Sequence, residues 1–445
     1  MATKSSILES NTNASESLAP TRVRWRVVFL LAITAGLTYI DRLNLGLAGK
    51  YIQDEFKFNT QTMGWILGAF SLGYALFHVP GGWLADRFGA RRVLAGAILW
   101  FSVFTAATAI APSLPLMKVL GAAWAFVIVR FVMGLGEAAA MPVGNKMMAY
   151  WLSEKERTFG TSVFLAGVGA GGIAAPFLIA AIVKNWGWRP AFVFLGIIGV
   201  AVAALWYILV RDLPEEHPDV NAAELALIGR SNAAALQTPQ HVAKINVPWL
   251  RLLSSRSMWG LMISHFCLVY PVYIFFTWFF IYLVRVRGVT ISKASLWTSA
   301  PFAANLVMVP LWGWLSDRIA DRVGKRRGRQ FAAWLAIGCS AVLLFSGSHT
   351  AHENLALLQL SIAAGFNFAA SAVLWTACND ISAKCSGSIS GIMTTFGSLG
   401  GFLSPVVTAA IAARFGWSYG LDFAALVTVV SGLAWFLIDA DQCLE

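Results

Sequence analysis

Charge is what this chain has least of. Asp, Glu, Lys and Arg make up 12% of its 445 residues, about half of the roughly 25% of a soluble domain. So few charges cannot clothe a water-soluble surface for 445 residues, 58% of them hydrophobic, and the mean hydropathy is +0.67. Cysteine is scarce as well. The five present (Cys267, Cys339, Cys378, Cys385 and Cys443) are odd in number and scattered, which gives neither a disulfide framework nor metal-ligand spacing. There is no H-E-x-x-H and no Walker loop, so no enzyme chemistry, cofactor or metal is expected. The first 21 residues lack the apolar core of a signal peptide, and a cleaved leader is not expected.

What is present is long apolar runs. Stretches of 18 or more such residues recur from Val27 to Ile438, the length a helix needs to cross a bilayer. Twelve spans are expected, beginning near residues 26, 62, 91, 119, 158, 188, 257, 294, 330, 354, 387 and 417. The fourth, seventh and eleventh runs exceed one crossing. Residues 212–255 interrupt the pattern with "RDLPEEHPDVNAAELALIGRSN", polar and Pro-punctuated, with a short helix expected around Ala222–Arg230. The organisation is then a tail (1–24), a six-helix half (25–211), a central loop (212–255), a second six-helix half (256–440) and a short tail (441–445). The fold class is all-α and membrane-embedded, in a lipid bilayer, with a monomer expected.

A net charge of +11 raises the question of nucleic acid. Its distribution answers no: most of the 33 Lys and Arg fall in loops on the side of both termini, Arg87/Arg91/Arg92 and Arg318 to Arg329 among them. That bias predicts cytoplasmic termini, as in a bacterial inner membrane. Two loops also match each other. "GGWLADRFGARR" (Gly81–Arg92) follows span two and "WGWLSDRIADRVGKRR" (Trp312–Arg327) follows span eight, which indicates two parallel repeats of six spans.

The pattern G-x-L-A-D-R-x-G-x-R-R resembles the loop signature of the major facilitator superfamily, and the resemblance covers residues 24 to 439. Tyr39-Ile40-Asp41-Arg42 in span one, with "GLGEAAAMPVGNKMMAYWLSEKER" (Gly134–Arg157) at span four, resembles the anion:cation symporter family. That family includes bacterial sugar-acid and aromatic-acid transporters and animal organic-anion transporters of the sialin and vesicular glutamate type. The resemblance implies twelve helices in two halves, a small organic anion as substrate and the proton as coupling ion.

Asp41, Arg42, Arg130 and Glu137 carry the chemistry. Arg130 and Glu137 stand seven residues apart on one face of span four. In this fold spans one and four line the central cavity, which gathers the four charges into one pathway. A charge at mid-membrane costs about 2.5–3.5 kcal/mol even on lenient scales, so unpartnered placement would be expensive. Either the four are a static ion-pair network, or the acids exchange protons while the arginines take the anion; the second is the working expectation. The resemblance assigns coupling to Asp41 and Glu137 and anion binding to arginines such as Arg42, with Arg130 as a second cavity cation.

Tyr39, Tyr74, His265, Trp375 and Thr394 are further candidates for contact with substrate, each against a packing alternative. Asp86, Arg87, Arg91, Arg92, Asp317 and Arg318 are expected to form a cytoplasmic gate, against a role in topology alone. For the substrate, sugar acids and aromatic carboxylates both remain. "SAVLW" puts Ala372 and Leu374 where sugar-acid transporters tend to carry hydroxyls, which weakens the sugar-acid case. A proton-coupled exporter is the alternative function, although span five lacks the G-P-x-x-G-G of antiporters.

Overall fold

The computed structural model describes residues 19–114, 119–236, 254–381 and 386–439. Twelve helices within them are long and apolar enough to cross a membrane. The first six are Val23–Phe56, Thr60–Ala85, Ala90–Ser113, Ala122–Trp151, Phe159–Trp186 and Trp188–Leu209. The second six are Arg256–Thr277, Ile291–Val323, Lys325–His349, Glu353–Cys378, Ile389–Phe415 and Trp417–Leu437. They are called spans one to twelve below. In hydrocarbon every backbone N–H and C=O must be satisfied within the segment, and a helix does this alone.

Four glycines make the two halves superimposable in outline. Spans two and three are joined through Gly89, five and six through Gly187, eight and nine through Gly324, eleven and twelve through Gly416. Their φ values are 89, 86, 89 and 101°, with ψ between 144 and 174°. That region is nearly closed to any residue with a Cβ, so a single glycine reverses the chain at corresponding places in each half. The central segment carries a helix, Ala222–Leu236, longer than the expected Ala222–Arg230. Residues 237–253 of that loop, and Cys385 and Cys443, lie outside the described residues.

This helix is anchored beneath span one. Glu224 is fully buried and accepts from the backbone N–H groups of Val23 (3.3 Å) and Arg24 (3.1 Å) and from the Arg24 guanidinium (2.9 Å). A carboxylate thus satisfies two of the N–H groups a helix start leaves open. Arg24 also pairs with Glu156 at 3.0 Å.

The halves meet at the end away from the termini. Spans one and seven cross so closely at Gly46 that a Cβ there would lie 2.6 Å from the Phe276 carbonyl oxygen. Spans two and eleven do the same at Gly64, 2.7 Å from the Pro405 carbonyl oxygen. Ser299 of span eight donates to the Ile173 carbonyl of span five at 2.9 Å. Beyond them Arg285 pairs with Asp54 and reaches the Lys50 carbonyl at 3.3 Å. Small residues allow this approach, as in other membrane helix pairs. The molecule is therefore closed on that side.

Candidate functional site

Span four is not one helix. It runs Ala122–Glu137, breaks at Ala138–Ala139, and resumes over Ala140–Trp151. Pro142 explains the interruption, since it has no N–H for the carbonyl four residues back and its ring crowds that turn. Glu137 is the last residue before the break, and discontinuous helices of this kind mark binding sites in transporters.

Glu137 faces Arg42 of span one. Arg42 Nε donates to Glu137 Oε1 at 2.6 Å, with the glutamate side chain fully buried and the arginine 10% exposed. Three rings surround the guanidinium: Tyr74 at 4.6 Å, Tyr39 at 5.2 Å and Phe70 at 5.4 Å from their centroids. Cation–π attraction of this sort is strengthened by exclusion of water. Glu137 Oε2 has no hydrogen-bond partner.

Asp41 and Arg130 form a second layer behind that pair. Asp41 is 1% and Arg130 3% exposed. Neither carboxylate oxygen of Asp41 is hydrogen-bonded; Thr105 of span three faces it but engages Met133 Sδ at 3.6 Å. Arg130 Nη1 also reaches Met133 Sδ, at 3.2 Å, while its Nε is unpartnered and its guanidinium lies 5.1 Å from the Phe70 centroid. The four charges are thus assembled as expected and sum to zero. Their division is new: Arg42 is the cation at the cavity and Arg130 lies behind it. Arg130, expected as a second cavity cation, is not among the described lining residues; helical phase turns it toward Met133.

The cavity holds about 240 Å³ between the halves. Tyr39, Arg42 and Tyr74 supply its wall from the first half; His265, Tyr273, Phe276, Phe368, Ser371, Thr394 and Ser398 are prominent on the other. His265 and Thr394 therefore stand where anticipated. Trp375 does not line it: Ser371, one turn earlier, does, and Trp375 is 39% exposed with its ring 5.8 Å from His265 in an edge contact. Tyr273 is a lining residue that the sequence did not point to.

The residues expected to gate the termini side make contacts within their own halves. Arg91 donates to the Tyr207 carbonyl from Nε at 2.9 Å, and its backbone N–H donates to Asp212 at 2.8 Å. Asp317 accepts from Arg329 at 2.5 Å. Arg87 lies over Trp83 and Phe88, Arg318 over Trp314, and Arg92 is exposed. The Asp86 side chain lies outside the described ones. These contacts tie each half together rather than joining the two.

A transporter is what this architecture defines: two six-helix halves, a cavity between them, and buried charge on one wall. The family model described as Major Facilitator Superfamily matches residues 31–405, and the chain belongs to that superfamily of transporters, which are not enzymes. It is 33% identical over 404 residues to the probable sulfoacetate transporter SauU of Cupriavidus necator, covering 90% of each chain. Over 430 residues it is 28% identical to the D-galactonate transporter of Escherichia coli, covering 95% of this chain and 97% of that one. Among solved structures, an inward-facing, occupied bacterial homolog of the human lysosomal transporter Spinster gives a TM-score of 0.75. Its identity is 18%, over 94% of this chain and 97% of that one, a likeness of fold alone.

Proposed function

We propose that the chain is a proton-coupled symporter that takes up a small organic anion. The observation that carries this is the 2.6 Å Arg42–Glu137 pair on the cavity wall. An entering carboxylate or sulfonate needs the guanidinium that Glu137 occupies. A proton on Glu137 weakens its hold and releases Arg42 to the anion. Proton and anion thus arrive together, and the buried cluster stays neutral, which a low-dielectric site demands. Asp41, attracted by Arg130 without a direct ion pair, is the second exchangeable acid. The substrates for which the relatives are named, sulfoacetate and D-galactonate, are organic anions and support the reading.

The basic loops favour a bacterial inner membrane with both termini cytoplasmic. The closed end then faces outward. Proteoliposomes carrying the purified protein provide the test. An inward proton gradient should drive accumulation of a labelled acid, and an uncoupler should abolish it. Accumulation that follows sodium and ignores the uncoupler would overturn the coupling ion.

A further inference from the structure

We propose that the substrate is a singly charged, hydroxyl-bearing acid of the aldonate type, and that dianions and hydroxyl-free acids are excluded. This deepens the anion reading above and rests on it. Two features of the cavity carry it, one of charge and one of hydrogen-bond polarity.

The charge feature is that, among the described residues, Arg42 is the single Lys or Arg lining the cavity. Arg130, the second cation of the buried cluster, is not among the described lining residues, and its Nη1 reaches Met133 Sδ at 3.2 Å. One guanidinium can receive one carboxylate, bidentately when Glu137 lets go. A second carboxylate or a sulfonate would stand against Tyr273, Phe276 and Phe368, or against hydroxyls, with no cation to meet it. An uncompensated charge removed from water is the most expensive thing such a site can hold.

The polarity feature lies across the cavity. Thr394 and Ser398 both line it, and both have committed their protons to backbone carbonyls one turn back: Thr394 Oγ1 to Ser390 at 2.8 Å, Ser398 Oγ to Thr394 at 2.9 Å. A hydroxyl that has donated has only lone pairs left to offer. The wall opposite Arg42 therefore asks for donors from its ligand. A sugar hydroxyl is a donor; a carboxylate, a sulfonate or an aromatic ring is not. His265, buried with Nδ1 unpartnered, adds a ring that accepts at one nitrogen and donates at the other. Ser371 lines the cavity one turn before Trp375, so the hydroxyl missing at Ala372 and Leu374 is supplied from a neighbouring position. The arrangement is an anion clamp facing two acceptor hydroxyls, Thr394 and Ser398, with His265 and Ser371 beside them.

The test crosses the two features using purified protein and isothermal binding at pH 7. D-Gluconate or D-galactonate has one charge and hydroxyls; galactarate has two charges and hydroxyls; sulfoacetate has two charges and no hydroxyl; benzoate has one charge and no hydroxyl. The aldonates should bind tightest. Benzoate should be weaker by about tenfold or more, the loss of a net hydrogen bond or two at roughly 1.4 kcal/mol per decade. Galactarate should fall by about 30-fold or more. Galactarate or sulfoacetate binding as tightly as the aldonates, at pH 7 or through protonation of His265 as pH falls, would overturn the charge argument. Benzoate matching the aldonates would overturn the polarity argument. Ser398→Ala and Thr394→Val should each cut aldonate affinity several-fold while leaving benzoate unchanged; an equal loss for both ligands would mean the hydroxyls only pack. If none of the four acids binds while the protein remains monodisperse, it is the anion reading itself that fails.

Discussion

The two halves share a path through space and divide the chemistry. Gly89 and Gly324 turn the chain at corresponding points with the same φ of 89°, and Gly187 and Gly416 do so again at 86 and 101°. The side chains facing the centre do not correspond. The first half buries Asp41, Arg42, Arg130 and Glu137 within spans one and four. The second half presents Tyr273, Phe276 and Phe368 with hydroxyls from Ser371, Thr394 and Ser398, and its buried Asn367 amide carries no formal charge. A repeat fixes topology, while burial of charge is costly enough to be confined to one copy. Coupling belongs to the first half on this reading and selection to the second.

That division is most sharply broken by removing an acid. Glu137→Gln should abolish gradient-driven accumulation altogether while substrate binds as tightly as before or tighter, because Arg42 is released. Asp41→Asn should also lose accumulation with binding kept within about threefold. Measuring binding and uptake on the same preparations decides it: either variant concentrating substrate against a gradient would remove that acid from coupling.

Arg42→Ala comes next. Truncating one partner of a buried charge-assisted pair costs about 2–5 kcal/mol, roughly 30-fold to several thousand-fold in affinity. Arg130→Met should instead lower thermal stability, since it leaves Asp41 buried and uncompensated. Equal losses of affinity in the two variants would return Arg130 to the cavity.

The glycine turns offer a smaller and cleaner comparison. A Cβ at Gly324 meets nothing within 4 Å, whereas at Gly89 it would lie 2.7 Å from Asp212 Oδ2. Both substitutions to alanine should cost about 1–3 kcal/mol of backbone strain, with Gly89→Ala the worse because Asp212 must move. Melting curves in detergent would show it, and identical shifts would mean that Asp212 yields freely.

The smallest effect is expected at the outer closure. Arg285 and Asp54 join the halves but are 32% and 58% exposed, and exposed pairs contribute about 0–1 kcal/mol. Arg285→Gln should change the labelling rate of a cysteine placed at Ala48 by no more than a few-fold. A large change would make this pair the main hold on the closed state, ahead of the packing at Gly46 and Gly64.

The twelve spans, the six-and-six repeat and the identity of the four buried charges were legible in the chain alone. Each follows from one-dimensional physics: hydropathy over a membrane's thickness, a motif repeated at corresponding loops, and the rarity of ionisable residues in apolar runs. Which way those residues face came from the packing of the helices. Arg42 and Arg130 look alike in sequence, yet one meets the cavity and the other Met133, because the phase of each helix is set by packing against its neighbours. Ser371 displaced Trp375 from the cavity wall for the same reason. The lone pairs of Thr394 and Ser398 could not be read from composition, since a hydroxyl's direction is fixed by the carbonyl one turn behind it.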